Sequence, residues 1–348
     1  MTVDKKIFYD PSRLLSYNSF LNFVVGSRGV GKTYGFIKFC IQRFLKTGEQ
    51  FIYTRRYATE LETSVPKFFD PYLNCDEFRA VEFKVRKSKK LSIFYINGNV
   101  AGYAVALSTA LVLKSTSFTN VKNIIFDEFI IDKGTYHYIG GSGEPAKFID
   151  LVETIFRLRD GRVFLLGNAI TITNPYFEYF NLKLGYKTDF KVCKRDKNGE
   201  PLILVNYISN PEYEETKSNT RFGQLVQGTS YGDYAVNNKW YLDDNMFVEK
   251  RDPNSYCVSV FIVNGVSYGL WLCRKTGIRT LCKDFDPGNP CRFACDNKSH
   301  SLETTLQNAR KNTWFMIMVR LYQVGMLRFE SVAIKSVFLR LIEQVIGC

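Results

Sequence analysis

Apolar residues follow two rhythms along the first half of the chain. Residues 21–25, Leu21-Asn22-Phe23-Val24-Val25, form a short apolar run of the kind that becomes a buried strand of a parallel sheet. Across 34–46 the apolar positions Phe36, Ile37, Phe39, Cys40, Ile41 and Phe44 change to helical spacing, and Gly48 follows as a stop. A second strand is expected over 51–54. Two more, 92–96 and 100–105, flank Asn97-Gly98-Asn99, a hairpin signal. Strands are also expected at 123–126 and 162–168. Between them, Phe148, Leu151, Val152, Ile155 and Phe156 predict a helix over 145–159 that opens at Pro145.

The second half reads differently. Residues 188–245 are polar and turn-rich, with Asn198-Gly199 and Asn210-Pro211, and predict a strand-poor linker. Strands at 258–263 and 266–273 are joined by Asn264-Gly265, and a third is expected at 278–283. Helical spacing follows over 301–314 and 332–346. Three antiparallel strands followed by helices suggest an RNase H-like α+β order. The expected organisation is 1–195 as an α/β domain, 196–245 as a linker subdomain, and 246–348 as the RNase H-like domain.

Chemistry enters directly after the first strand. Gly26-Ser27-Arg28-Gly29-Val30-Gly31-Lys32-Thr33 matches G-x-x-x-x-G-K-[ST] in full, between a predicted strand and a predicted helix. Glycines let the backbone wrap closely, so that amide N–H groups point at phosphates, and the helix N-terminus adds partial positive charge there. Lys32 is expected at the β- and γ-phosphates, Thr33 on a magnesium ion, and Arg28 as a second cation beside the γ-phosphate. The strand ending in Asp127-Glu128 supplies the matching acids: Asp127 for magnesium and Glu128 as the general base that activates water. Asn168, at the end of the third strand, suits the γ-phosphate sensor of the additional-strand (ASCE) class of P-loop ATPases. At the end of the 145–159 helix, Arg157 and Arg159 are equal candidates for an arginine that reaches a neighbouring subunit's nucleotide. ATP and Mg2+ are the implied cofactors.

The balance of charge widens the list of partners. The chain of 348 residues carries a formal net charge of +13, which favours a polyanion. Lys84, Arg86, Lys87, Lys89 and Lys90 form a basic stretch that is either a solvated face or a DNA-facing loop, and residues 134–145 are rich in glycine. No apolar run is long enough to cross a bilayer and no secretory signal opens the chain. The nine cysteines lack a framework pattern and are expected to be reduced thiols in a cytoplasm. Cys282, Cys291, Cys295 and His300 do not have the spacing of a standard zinc knuckle. A metal nuclease of RNase H type needs an acid on its first strand, and residues 256–263 contain none. The C-terminal domain is therefore expected to bind nucleic acid without cutting it.

The series of motifs resembles the phi-29-type packaging ATPases of small podoviruses. Matching strings run almost end to end. They include Leu14-Leu15-Ser16-Tyr17, the P-loop, Gly48-Glu49-Gln50-Phe51-Ile52-Tyr53 and Arg55-Arg56-Tyr57. They continue through Ile125-Phe126-Asp127-Glu128-Phe129-Ile130, Asn174-Pro175-Tyr176-Phe177, Thr220-Arg221-Phe222-Gly223 and Val248-Glu249-Lys250-Arg251. The resemblance implies a homopentameric ring that docks through a packaging RNA on the portal vertex of a prohead, in the host cytoplasm. There it would drive double-stranded DNA inward by ATP hydrolysis. The resemblance favours Arg157 as the trans-acting arginine and assigns Lys114 to inter-subunit action. Arg55 and Arg56 are taken as nucleic-acid or inter-subunit contacts. A terminase-like ATPase with an active nuclease, or a nucleotide-gated nucleic-acid scaffold of low turnover, are the competing expectations.

Overall fold

The computed structural model describes residues 7–87, 91–113, 116–131, 137–140, 143–169, 174–182, 189–229, 232, 247–306 and 313–346. The chain divides into two compact units, 1–241 and 242–348.

The first unit is built on a nine-stranded sheet. Its strands are β1 (Leu21–Gly26), β2 (Gln50–Arg55), β3 (Phe83–Arg86), β4 (Ser92–Ile96), β5 (Asn99–Ala106), β6 (Val121–Asp127), β7 (Arg162–Asn168), β8 (Phe190–Arg195) and β9 (Pro201–Tyr207). They lie in the order β3-β4-β5-β2-β6-β7-β1-β9-β8. The run from β5 to β9 is parallel, and each end is closed by antiparallel strands. Strand β7 lies between the strand before the P-loop and the strand that ends in Asp127, which is the additional strand of the ASCE architecture. The central strands are buried on both faces, so their sequences are apolar runs rather than alternations.

Helices α1 (Ser12–Ser16), α2 (Lys32–Thr47), α3 (Ala58–Ser64), α4 (Asp70–Leu73), α5 (Glu144–Phe156), α6 (Pro175–Tyr179), α7 (Pro211–Ser218) and α8 (Arg221–Val226) complete the unit. Helix α2 buries Phe36, Ile37, Cys40 and Ile41 against the sheet and stops at Gly48, whose φ is 73°. Phe51, Phe68 and Phe94 stack beside them, with the Phe68 and Phe94 centroids 4.1 Å apart.

Residues 196–245 are not a strand-poor linker: β9 lies inside this stretch and pairs in parallel with β1. Ile203, Leu204 and Val205 are buried, so β9 extends the core sheet. Its brief apolar run, between Asn198-Gly199 and Asn210-Pro211, was masked by the turn signals around it. The arginine-bearing end of the 145–159 helix also differs, because α5 stops at Phe156 and Arg157 leaves helical geometry at φ 53° and ψ −113°.

The second unit holds β10 (Tyr256–Val263), β11 (Val266–Leu272), β12 (Arg279–Cys282), β13 (Arg292–Ala294), β14 (Thr305–Leu306) and β15 (Leu327–Phe329), with helices α9 (Thr313–Gln323) and α10 (Val332–Ile346). Its sheet runs β14-β13-β10-β11-β12-β15. Leaving out β15, the strands are ordered third, second, first, fourth, fifth, which is the RNase H order. Helical spacing over 301–314 is misleading at its start, since 305–306 are strand; the described helix spans Thr313–Gln323. Leu270, Leu327, Phe329 and Phe338 form the core of this unit.

Candidate nucleotide site

The P-loop bends between β1 and α2 as its sequence requires. Gly29 and Gly31 have φ of 86° and 95°, a region in which a side chain would be strained. The Lys32 ammonium turns back onto the loop, bonding Gly26 O at 3.0 Å, Ser27 O at 2.8 Å and Asn168 Oδ1 at 3.2 Å. The contact with Asn168 follows from strand register, because Gly26 and Asn168 are directly paired on β1 and β7. Burial pushes the Lys32 ammonium down to about 7, against the pull of Asp127. Such a buried cation is stabilised by the arrival of phosphate oxygens.

The acids meet the loop from the neighbouring strand. Thr33 Oγ1 donates to Asp127 Oδ1 at 3.0 Å, and Tyr53 donates its hydroxyl to Asp127 Oδ2 at 3.0 Å. Burial raises the Asp127 carboxyl above its ordinary range, while Arg55 pulls it down. Thr33 and Asp127 together suit Mg2+, which takes one or two protein ligands and completes its shell with phosphates and water. Glu128 leaves the strand with φ 57°, unusual for a non-glycine residue and typical of functional turns.

Arg55 and Arg56 do not form a nucleic-acid face. Arg55 is held among three carboxylates: Glu128 Oε2 at 2.7 Å, Glu60 Oε1 at 2.9 Å and Asp127 Oδ2 at 3.3 Å. Arg56 is 3% exposed and pairs with Glu144, whose side chain is 0% exposed, at 2.9 Å. It also donates to Glu128 O at 3.0 Å and Phe129 O at 2.8 Å, while Tyr176 donates its hydroxyl to Glu144. Arg56 is buried and Arg55 half-buried because β2 runs parallel to β6, which sets Arg55 against the acids that end β6 and Arg56 against the backbone that follows them and Glu144 of α5. Sequence reading missed Tyr53, Glu60, Glu144 and Tyr176, since nothing in local spacing says which acid closes on which arginine.

The two candidate finger arginines are now distinguishable. Arg159 donates to Thr119 O, Phe118 O and Ile155 O, which fixes it to its own chain. Arg157 is exposed and its guanidinium has no partner among the described residues; it borders a hollow with Asp150, Glu153 and Thr154. The next residue, Leu158, is fully exposed at 103%. Lys114 lies outside the described residues, as do Lys89 and Lys90 of the basic stretch. Lys84 and Arg86 point to solvent from β3, the edge strand.

In the second unit Asp284, Asp286 and Asp296 are engaged in turns and ion pairs. Asp284 pairs with Arg251 at 2.8 Å, Asp286 accepts from Gly288 N, and Asp296 accepts from Asn264 N and Ser299. Among the described residues no group of three His, Cys, Asp or Glu side chains is placed to hold a metal ion.

Comparison with known proteins places this geometry. The sequence profile of the podovirus DNA encapsidation protein (Gp16) family matches residues 3–346. The DNA packaging protein of Bacillus phage phi29 is 33% identical over 346 residues, covering 99% of each chain. That of Bacillus phage B103 is 34% identical over 327 residues, covering 93% of this chain and 97% of the relative. Among solved structures, the bacteriophage phi29 viral genome packaging motor assembly contains a chain with a TM-score of 0.75 and 32% identity, covering 97% of this chain and 99% of that one. The N-terminal domain of the phi29 DNA packaging ATPase matches at a TM-score of 0.52 and 38% identity, over 60% of this chain and 99% of that one.

Proposed function

The chain belongs to the podovirus DNA encapsidation protein family, and from that premise we propose that it is the ATP-hydrolysing subunit of a motor that drives double-stranded DNA into a prohead. The observation that carries the reading is the meeting of Lys32, Thr33, Asp127 and Asn168 at one glycine loop, with Glu128 next in the chain.

In this reading the loop amides and Lys32 hold the phosphates. Thr33 and Asp127 would hold Mg2+, which when bound would neutralise phosphate charge. Glu128 accepts a proton from the attacking water. Asn168, already within reach of Lys32, reports the γ-phosphate to β7. Arg157 acts in trans on the nucleotide of a neighbouring copy, which needs a ring, here taken as a pentamer. The ring docks on the portal through a packaging RNA, in the host cytoplasm. No described helix is long and apolar enough to cross a membrane. Lys114 keeps its inter-subunit role as part of the proposal.

The test is ATP turnover by the intact protein on proheads, with and without DNA and packaging RNA. Glu128→Gln is expected to bind ATP while turnover falls by about 10²–10⁴-fold, the usual contribution of a general base. A rate equal to wild type rejects the assignment.

The strand order of the second unit favours one alternative, a packaging enzyme that also cuts DNA. Strand β10 carries no acid and the nearby aspartates are engaged, so incubation of the intact chain with DNA and Mn2+ or Mg2+ is expected to leave the DNA uncut.

A further inference from the structure

Helix α7 sits on the nucleotide loop. It follows β9, whose parallel pairing with β1 sets Tyr207 opposite Val25 and brings the next turn of chain to the loop. Ile208 N donates to Val25 O at 2.7 Å, and Asn210 then caps α7 by accepting from Tyr213 N at 3.0 Å. Asn210 also donates to Ile7 O at 2.7 Å, which fixes the N-terminal segment beside the same helix.

Two side chains of α7 reach the loop. Tyr213 donates its hydroxyl to Arg28 O at 3.2 Å, and a Cβ on Gly29 would lie only 2.7 Å from that hydroxyl oxygen. Lys217 donates its ammonium to Arg28 O at 2.8 Å, with the Tyr213 ring 5.5 Å away beneath it. Lys32 bonds Ser27 O on the inner side of the same loop. Two ammonium groups therefore bond the carbonyls of consecutive residues, and Arg28 adds a third cation at the same turn. Like charges so gathered repel one another, and a polyanion between them removes that cost. Burial, and after it the Arg28 guanidinium, lower the pKa of the Lys217 ammonium.

We propose that Lys217 is a phosphate ligand of the bound nucleotide, supplied by α7 of the same chain, with Tyr213 holding its stem against the loop. In the structure described here the ammonium donates a hydrogen bond to Arg28 O; with nucleotide bound, it turns to a phosphate oxygen. The inference rests on the reading that this loop binds ATP, and it adds a residue that lies 189 positions from Arg28 in sequence and outside the Walker pattern.

The experiment is calorimetric titration of the intact chain with Mg-ATPγS at low and at high salt. Lys32→Ala serves as the control that removes the site. Lys217→Ala is expected to weaken binding by about tenfold, the scale of a charged hydrogen bond. Lys217→Arg restores most of the loss. The gap between Lys217→Ala and wild type narrows at high salt, because the lost contact is between charges. Wild-type affinity in Lys217→Ala overturns the proposal, as does an equal loss in both variants that is unchanged by salt, which marks a purely structural role. Failure of the wild type to bind ATPγS overturns the ATP reading and this inference together, whereas failure of Lys217→Ala to differ leaves the ATP reading intact.

Discussion

Arg55 Nη2 lies 2.7 Å from Glu128 Oε2, so the general base of the proposed reaction is held by a cation that also contacts Asp127 and Glu60. Three carboxylates therefore share one guanidinium at the mouth of the nucleotide site. Arg55→Met leaves them facing one another and is expected to cost about 1–3 kcal/mol of stability. A bound cation should offset part of that loss. Magnesium with a non-hydrolysable ATP analogue is thus expected to raise the melting temperature of the variant by more than that of the wild type. Equal shifts in a thermal melt would show that Arg55 is not the counter-ion of this cluster.

Arg56 and Glu144 form a second pair of a different kind. Both are buried, and the pair ties the backbone after Asp127 to the first turn of α5. Removing one partner strands the other charge, so Glu144→Ala is expected to lower stability by about 3–5 kcal/mol. The double variant Arg56→Met with Glu144→Leu should recover a substantial part of it. Denaturant unfolding of the intact chain measures both, and a double variant as weak as the single one would contradict the account.

Arg157 and Arg159 separate function from support. Arg159→Ala forfeits three carbonyl contacts and is expected to destabilise the fold by about 1–3 kcal/mol. Arg157→Ala should change stability by less than about 0.5 kcal/mol, since it is exposed and unpartnered among the described residues. On the prohead, Arg157→Ala subunits mixed with Lys32→Ala subunits are expected to form some active sites, each with one intact loop and one intact arginine. Turnover no greater than that of the two variants measured apart would argue against action across a subunit boundary.

Glu49 gives a pH signature. Its hydrogen bond with Arg43 holds its carboxyl below the usual value of 4.5, with burial opposing. A depressed carboxyl stabilises the fold fully above its unfolded pKa and ceases to do so as pH falls through the folded value. The pair is partly exposed, so its worth is below about 1 kcal/mol. Glu49→Gln is expected to flatten the acid limb of the stability profile below pH 4.5 and to lose a few tenths of a kcal/mol at neutral pH.

The sequence carried the loop, the acids that end β6, Asn168 and the positions of most strands, because each is encoded within a few consecutive residues. Strand β9 escaped notice because a buried strand without alternation, set between turn signals, looks like part of a polar segment. Arg55 and Arg56 were misplaced for another reason. A pair of arginines after a strand reads as surface charge until the neighbouring strand is known, and that neighbour, β6, comes about 70 residues later. Lys217 is the extreme case, since only the pairing of β9 with β1 brings it to the loop.

At φ 53° and ψ −113°, Arg157 occupies a backbone geometry that glycine adopts without strain. An arginine kept there stores energy in the native state. Selection for heat resistance alone would favour Arg157→Gly, and the hardened protein would lack the guanidinium that the proposed reading offers to a neighbour's nucleotide. At this one position endurance and output are opposed, so a thermostabilised form of the motor should be chosen by its turnover and not by its melting point.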